Sequence, residues 1–246
     1  MLKNEREREI LRIIENEGGF ATVRALCERL FASESSIRRD LRALDERGLV
    51  RRSHGGAERI LNPSGGINFA ARGSQNVAAK RAMAEIAKHF VKNGDIVFLD
   101  QSSSAFYLAT ALAENRTLTV ITNNVEILVL LSESALKVYG SGGMLYPDNR
   151  TCLIGEDASA TFSRVRADVA FFSAHSLSED GVISDLSREE VLVREAMIKN
   201  AEKTIFLCDS AKNGTRSAYK QCMLKEIDVR IDEHGAYDRE GNPIEA

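Results

Sequence analysis

Three features of this 246-residue sequence predict an α/β protein built in two parts. The first sixty residues hold three short amphipathic helix patterns and then a hairpin pattern. A cluster of turn formers, Asn62-Pro63-Ser64-Gly65-Gly66, interrupts the chain next. Beyond it, helix and strand patterns alternate as far as Cys208, which is the signature of a mainly parallel sheet with helices on both faces.

Composition narrows the function classes. At 43% hydrophobic and 28% charged, the chain reads as an ordinary globular protein. Its apolar runs, such as Val169–Phe172 and Ile127–Leu131, are far too short to span a bilayer, so no membrane partner is expected. The opening Lys3-Asn4-Glu5-Arg6 lacks the apolar core of a signal peptide, and a cytoplasmic location is expected. Cys27, Cys152, Cys208 and Cys222 are scattered without a Cys-x-x-Cys pair and read as free thiols. His54, His89, His175 and His234 are equally dispersed, so neither a metal nor another cofactor is expected. The net charge of −3 hides an uneven distribution. Residues 1–60 hold 13 Lys/Arg against 11 Asp/Glu, and Ser36–Gly55 alone holds six arginines against three acids. A basic patch on an acidic body suits a DNA-reading module joined to something with another task.

The elements of the first part follow in order. Ile10, Ile13 and Ile14 give helical spacing within Leu2–Glu17, which Gly18-Gly19 ends. Thr22 caps a second helix, Val23–Leu30, with Val23, Leu26 and Leu30 on one face. After Phe31-Ala32, Ser33 caps a third helix reaching about Arg47, and Leu49–Arg52 reads as the first strand of a hairpin. With Ile37 at zero on the third helix, Leu41 and Leu44 lie within roughly 40° of it, while Ser35, Arg38, Arg39 and Arg42 fall between roughly 100° and 200°. Three short helices and a hairpin match a winged helix-turn-helix, whose third helix enters the major groove. Arginines there reach the O6 and N7 acceptors of guanine, and serine hydroxyls reach phosphates or base edges. Asp40 lies nearer the apolar side and is expected to be a structural ion-pair partner.

The run Ser36-Ile37-Arg38-Arg39-Asp40-Leu41-Arg42-Ala43-Leu44, with Gly48 and then Arg52-Ser53-His54-Gly55-Gly56-Ala57, resembles the DeoR family of bacterial repressors. The family's usual Thr is Ser at position 36, which keeps the hydroxyl. The resemblance implies that Arg52 and His54 lie in or beside the wing, close to the DNA backbone. The expected DNA-binding residues are therefore Ser33, Ser35, Ser36, Arg38, Arg39, Arg42, Arg52 and His54.

The second part alternates regularly. Helix Val77–Val91 leads to strand Ile96–Leu99, helix Ala105–Leu112, strand Leu118–Thr122, helix Val125–Leu131 and strand Leu136–Tyr139. A helix near Asp157–Ser163, strand Asp168–Phe172, helix Glu189–Asn200 and strand Thr204–Cys208 complete it. The expected domains are residues 1–57, a linker at 58–75, a sensing domain at 76–233 and a polar tail at 234–246. Ligands of open parallel sheets gather at the carboxyl ends of the strands, and polar residues sit there: Asp100-Gln101-Ser102-Ser103-Ser104, Asn123-Asn124, Gly140-Ser141-Gly142-Gly143 and Asp209-Ser210-Ala211-Lys212. Serine hydroxyls at a helix N-terminus favour an anion.

These segments also resemble the DeoR-family effector domain, whose sheet is similar to that of ribose-5-phosphate isomerase. The matching pieces are the Asp100 loop, Thr122-Asn123-Asn124, Gly142-Gly143, Ala167-Asp168, Glu190 with Val193-Arg194 and Ala196-Met197, and Asp209–Lys212. The family commonly has Gly where Ser102 and Ser173 stand. The resemblance implies a repressor of sugar or carbohydrate genes, acting on double-stranded operator DNA as a homodimer or homotetramer. Its expected effector is a phosphorylated sugar, bound by Asp100, Ser102, Ser103, Ser104, Asn123, Gly142, Gly143 and Lys212, with no catalytic residue. The competing reading is a sugar-phosphate isomerase or hydrolase with an accessory DNA-binding domain. Asp100, Asp180, Glu190 and Lys212 supply the residue types for that chemistry, but the isomerase's glycine-rich catalytic stretch has no match after Ala174.

Overall fold

The computed structural model describes residues 3–17, 19–47, 49–53, 55–59, 69–114 and 117–245, which fall into two compact units, Met1–Gln75 and Asn76–Ala246. In the first unit, α1 (Lys3–Asn16) leads to a short strand β1 (Phe20–Thr22), then α2 (Val23–Leu30) and α3 (Glu34–Glu46). The wing is β2 (Val50–Ser53) and β3 (Gly56–Arg59), followed by α4 (Phe69–Ser74). Both inner helices begin at a capping hydroxyl. Thr22 Oγ1 accepts the Ala25 N–H at 3.1 Å, and Ser33 Oγ accepts the Ser36 N–H at 3.3 Å. Ile10, Ile14, Leu26, Ile37, Leu41, Leu44 and Val50 form the core.

The strand β1 has no counterpart in the sequence reading. It pairs antiparallel with β3, so the wing sheet runs β1-β3-β2. That third strand makes glycine necessary at position 56. A Cβ at Gly56 would meet the Ala21 carbonyl oxygen at 2.5 Å and the Phe20 ring at 2.6 Å, so only glycine lets β1 approach. Within the span expected as linker, 58–75, the structure places the end of β3 and all of α4, while Asn62–Gly66 lie outside the described residues.

The second unit opens with α5 (Val77–Ala87), extended by a 3-10 turn at Lys88–Phe90. It continues through β4 (Ile96–Leu99), α6 (Ser103–Leu112), β5 (Thr119–Thr122), α7 (Val125–Leu131) and β6 (Lys137–Gly140). A hairpin of β7 (Met144–Tyr146) and β8 (Asn149–Ile154) precedes α8 (Glu156–Ser163) and β9 (Ala167–Phe172). Next come β10 (Ser176–Leu177), β11 (Val182–Asp185), α9 (Arg188–Lys199), β12 (Ala201–Leu207), β13 (Tyr219–Met223) and β14 (Val229–Ile231). The last strands are β15 (Ala236–Tyr237) and β16 (Pro243–Ile244).

The main sheet has the order β16-β15-β14-β12-β9-β4-β5-β6, parallel from β14 to β6. Successive residues of a strand face opposite sides, and both sides are filled. Val97 and Leu99 pack with Met83, Leu108 and Ile127 from α5, α6 and α7. Phe98 points the other way, onto Phe162 of α8 (ring centroids 5.0 Å apart, edge to face) and Met197 of α9. The residues expected as a polar tail instead extend the sheet. Asp232 Oδ1 accepts the N–H groups of His234 and Gly235, and this turn sends the chain back as β15.

The chain leaves β4 toward β5 and β6 on one side and later fills β9, β12 and β14 on the other. The crossovers therefore diverge between β4 and β9, and a crevice at the carboxyl ends of the strands is favoured there.

Candidate functional site

Helix α3 separates its residues by face. Ile37, Leu41 and Leu44 are buried, and Ser35, Arg38, Arg39 and Arg42 are exposed. Asp40 turns inward at 1% exposure and accepts two bonds from Arg6, at 2.6 and 3.3 Å. A second pair, Arg47 to Glu7 at 2.6 Å, also joins α3 to α1. The outward face is thus held in orientation by ion pairs on the inward one. At its N-terminus the Ser33 hydroxyl lies 3.1 Å from that of Ser35 and 2.9 Å from that of the half-buried Ser36. Arg38 pairs with Glu34 at 2.6 Å, an exposed pair worth about 0.3–0.5 kcal/mol. Among the described residues, the Arg39 and Arg42 side chains make no hydrogen bond or ion pair. Arg52 is exposed on β2, where Asp45 accepts its backbone N–H at 3.3 Å. His54 lies outside the described residues.

A second cluster lies at the strand ends of the other unit. Asp100 follows β4 and is fully buried. Its Oδ1 accepts the Ser102 N–H at 3.0 Å, and its Oδ2 accepts the Ser173 N–H at 3.1 Å and Arg194 Nε at 3.2 Å. Both oxygens are committed, so Asp100 positions the loop ends of β4 and β9. Ser102 Oγ caps α6 by accepting the Ala105 N–H at 3.0 Å, which occupies one of the amides that the glycine common in the family would leave open. Lys212 donates to Ser173 Oγ at 2.6 Å and lies 3.7 Å from Asp209. Asp209 in turn accepts from Asn76 at 2.9 Å.

Gln101, buried beside Asp100, organises a further chain of bonds. It donates to Glu190 at 3.0 Å and accepts from Asn123 at 3.3 Å, and Asn149 donates to the other Glu190 oxygen at 2.9 Å. Among the described residues, three polar atoms in this region are buried without a partner: Ser104 Oγ, Asn123 Oδ1 and Asn124 Nδ2. Gly142 and Gly143 follow β6 beside the end of β5, where the Ser141 N–H donates to the Thr122 carbonyl at 2.9 Å. A Cβ on Gly143, whose φ is +96°, would meet the Ile154 carbonyl oxygen at 2.4 Å, so this glycine serves the packing of the hairpin against α8.

The charge at the centre is Arg194, 1% exposed. Besides Asp100 it contacts Asp185 at 3.1 Å and donates to Gln221 at 2.9 Å. Burial opposes its charge, but Asp185 and Asp100, with Glu190, overcome this and hold the guanidinium pKa above its ordinary value. Lys80 on α5 is a second buried cation, 4% exposed. The sequence reading gave neither residue a role. The available signal was periodicity: Arg194 shares the buried face of α9 with Glu190, Val193 and Met197, and Lys80 that of α5 with Met83, Ala84 and Ala87. Among the described residues, no three His, Cys, Asp or Glu side chains group to hold a metal, and no helix is long and apolar enough to cross a membrane.

Residues 6–62 match the DeoR-like helix-turn-helix domain, and residues 75–234 match the DeoR C terminal sensor domain. The chain belongs to the DeoR family. One relative of this DeoR-family chain is the HTH-type transcriptional regulator GlpR of Haloferax volcanii, 30% identical over 94% of this chain and 90% of that protein. Another is the glycerol-3-phosphate regulon repressor of Haemophilus influenzae, 29% identical over 93% of this chain and 88% of that protein. Among solved structures, eIF2B beta from Chaetomium thermophilum has a TM-score of 0.50 at 15% identity, covering 67% of this chain and 51% of that one, a likeness of fold alone. In DeoR-family terms, the α3 face lies within the helix-turn-helix match and the Asp100–Lys212 cluster within the sensor match, whereas β15 and β16 lie beyond it.

Proposed function

We propose that this DeoR-family chain is an operator-binding repressor of sugar or polyol genes, whose DNA affinity is set by a phosphorylated effector at the carboxyl ends of β4, β5 and β12. The observation that carries the reading is the set of unpartnered buried atoms, Ser104 Oγ, Asn123 Oδ1 and Asn124 Nδ2, at the ends of the neighbouring strands β4 and β5. A buried polar atom without a partner costs about 1–3 kcal/mol, and ligand hydroxyls relieve that cost. Lys212, one-fifth exposed, bonded to Ser173 and 3.7 Å from Asp209, supplies charge for a phosphate. The name of the glycerol-3-phosphate regulon repressor supports a phosphorylated polyol as the effector class.

On this reading Ser103, Ser104 and Lys212 engage phosphate, Asn123 and Asn124 engage hydroxyls, and Asp100 and Ser102 shape the loop. Arg39 and Arg42 read bases, with Arg38 joining them on release from Glu34. The chain acts as a homo-oligomer, because paired recognition helices match two-fold operators. Regulation requires the effector to bind the DNA-competent and DNA-incompetent states with different affinity. No turnover is assigned to Asp100, Asp180, Glu190 or Lys212, and ribose 5-phosphate is expected to remain unchanged by the purified chain.

A thermal-shift screen with sugar and polyol phosphates tests the reading, followed by operator affinity with and without the best compound. A compound that raises the melting temperature and changes operator affinity supports it. A flat screen, or an equal effect from unphosphorylated analogues, counts against a phosphate sensor.

A further inference from the structure

We propose that Phe31, in the turn between α2 and α3, contacts DNA directly and packs against the 5-methyl group of an operator thymine. The inference rests on the helix-turn-helix reading and extends it to a residue outside the arginine-bearing face.

Two unfavourable features coincide at Phe31. It is the C-cap of α2 with φ 48° and ψ 42°, in the left-handed region that L side chains rarely adopt. Among the described residues the only other non-glycine with positive φ is Asn76, and asparagine tolerates that region far better than an aromatic residue. The Phe31 side chain is also 97% exposed, more than any other large apolar residue described. A ring this exposed packs against almost nothing in the fold, so the fold gains nothing from it. Glycine or asparagine would end the helix with less strain and without an apolar ring in water. An outlier of this kind at a binding surface points to use by a partner.

The position identifies the partner. Two residues later Ser33 caps α3, so Phe31 stands at the end of the helix that presents Ser35, Arg38 and Arg39. The thymine methyl is the apolar feature of the major-groove edge, and phenylalanine is a side chain suited to it. A thymine contact there adds discrimination that arginines, which seek guanine acceptors, do not provide.

The test uses the full-length chain and a duplex that it selects from a randomised pool. Each thymine is replaced in turn by deoxyuridine, which removes only the methyl group. At one position per half-site, the parent is expected to lose about fourfold in affinity, the worth of one buried methyl. Phe31→Asn should lose a similar factor on the thymine duplex and fail to distinguish the two bases at that position. Its melting temperature should stay level or rise, because the strained conformation is relieved. A flat deoxyuridine scan overturns the proposal, as does unchanged affinity in Phe31→Asn. A fall in melting temperature would assign the ring a structural role, and an altered oligomeric state with unchanged DNA affinity would assign it to a protein contact; either result overturns the proposal. Arg39→Ala and Arg42→Ala, measured in parallel, separate the two levels. If they too bind normally, the α3 reading itself fails rather than the placement of Phe31 alone.

Discussion

The Lys212 ammonium donates to the Ser173 hydroxyl at 2.6 Å, and that hydroxyl donates onward to the Leu207 carbonyl at 2.5 Å. The side chain proposed to meet a phosphate is therefore already engaged, by an oxygen that the family's usual glycine would not supply. Under the proposed function, an effector phosphate would compete with Ser173 for Lys212.

Ser173→Gly is accordingly expected to tighten effector binding. Losing a net hydrogen bond to Lys212 is worth about 0.5–1.5 kcal/mol to the competitor, or severalfold in Kd. Isothermal titration with the compound that gives the largest thermal shift measures it. Weaker binding in this variant would show that Ser173 itself holds the ligand.

Lys212→Ala should lose about 1.5–3 kcal/mol of effector affinity, the worth of a charged hydrogen bond, and with it the regulatory response. Operator affinity without effector should be unchanged, since the residue lies in the other unit. Equal responses in parent and variant would place the phosphate elsewhere.

Replacing arginines should produce two distinguishable losses. Arg39→Ala is expected to cost about 1–3 kcal/mol on the selected duplex and to relax the preference at one base pair. Arg52→Ala should weaken all duplexes alike and reduce the salt slope by about one. Fluorescence anisotropy across a salt series reads both.

Arg194→Leu leaves Asp100 buried without its charge partner and should destabilise the sensor domain by about 3–5 kcal/mol. Adding Asp100→Asn removes the stranded charge and should recover part of the loss. Urea unfolding of the single and double variants tests this, and a double variant no better than the single would refute the pairing.

Acid should loosen the junction between β12 and the turn that opens β14 through Asp228. Burial alone would raise its pKa, but the Thr204 N–H and hydroxyl and the Arg239 guanidinium hold it below the ordinary 3.8. A depressed carboxyl contributes stability above its unfolded pKa and loses it as pH falls through the folded one. The contribution should be complete at neutral pH and decline below about pH 4, and Asp228→Asn should flatten that decline in an acid melting series.

What could be read from the sequence follows from pattern length. The central strands β4, β5, β9 and β12 are apolar runs flanked by turn formers, and α2 and α7 begin at Thr22 and Asn124, whose side chains cap them. The two-residue strands β10, β15 and β16 and the three-residue β1 are too short to show a period. At the effector cluster the loops were legible because they follow those central strands. The division of labour within them was not: Asp100 turned out to be committed to backbone and Arg194, and Gly143 to packing, through contacts between segments distant in sequence. Arg194 is visible in the sequence only as a motif residue; its burial is not legible, because a charged residue in an amphipathic helix ordinarily faces water.

The two ends of the eight-stranded sheet bear on solubility. Open strand edges are templates on which other chains can polymerise. Here β16 begins with Pro243, which has no N–H to offer an incoming strand, and β6 begins with the exposed Lys137, whose desolvation would penalise a newcomer. A cell can therefore accumulate this regulator with less risk of edge-to-edge aggregation, a safeguard carried by one residue at each end of the sheet.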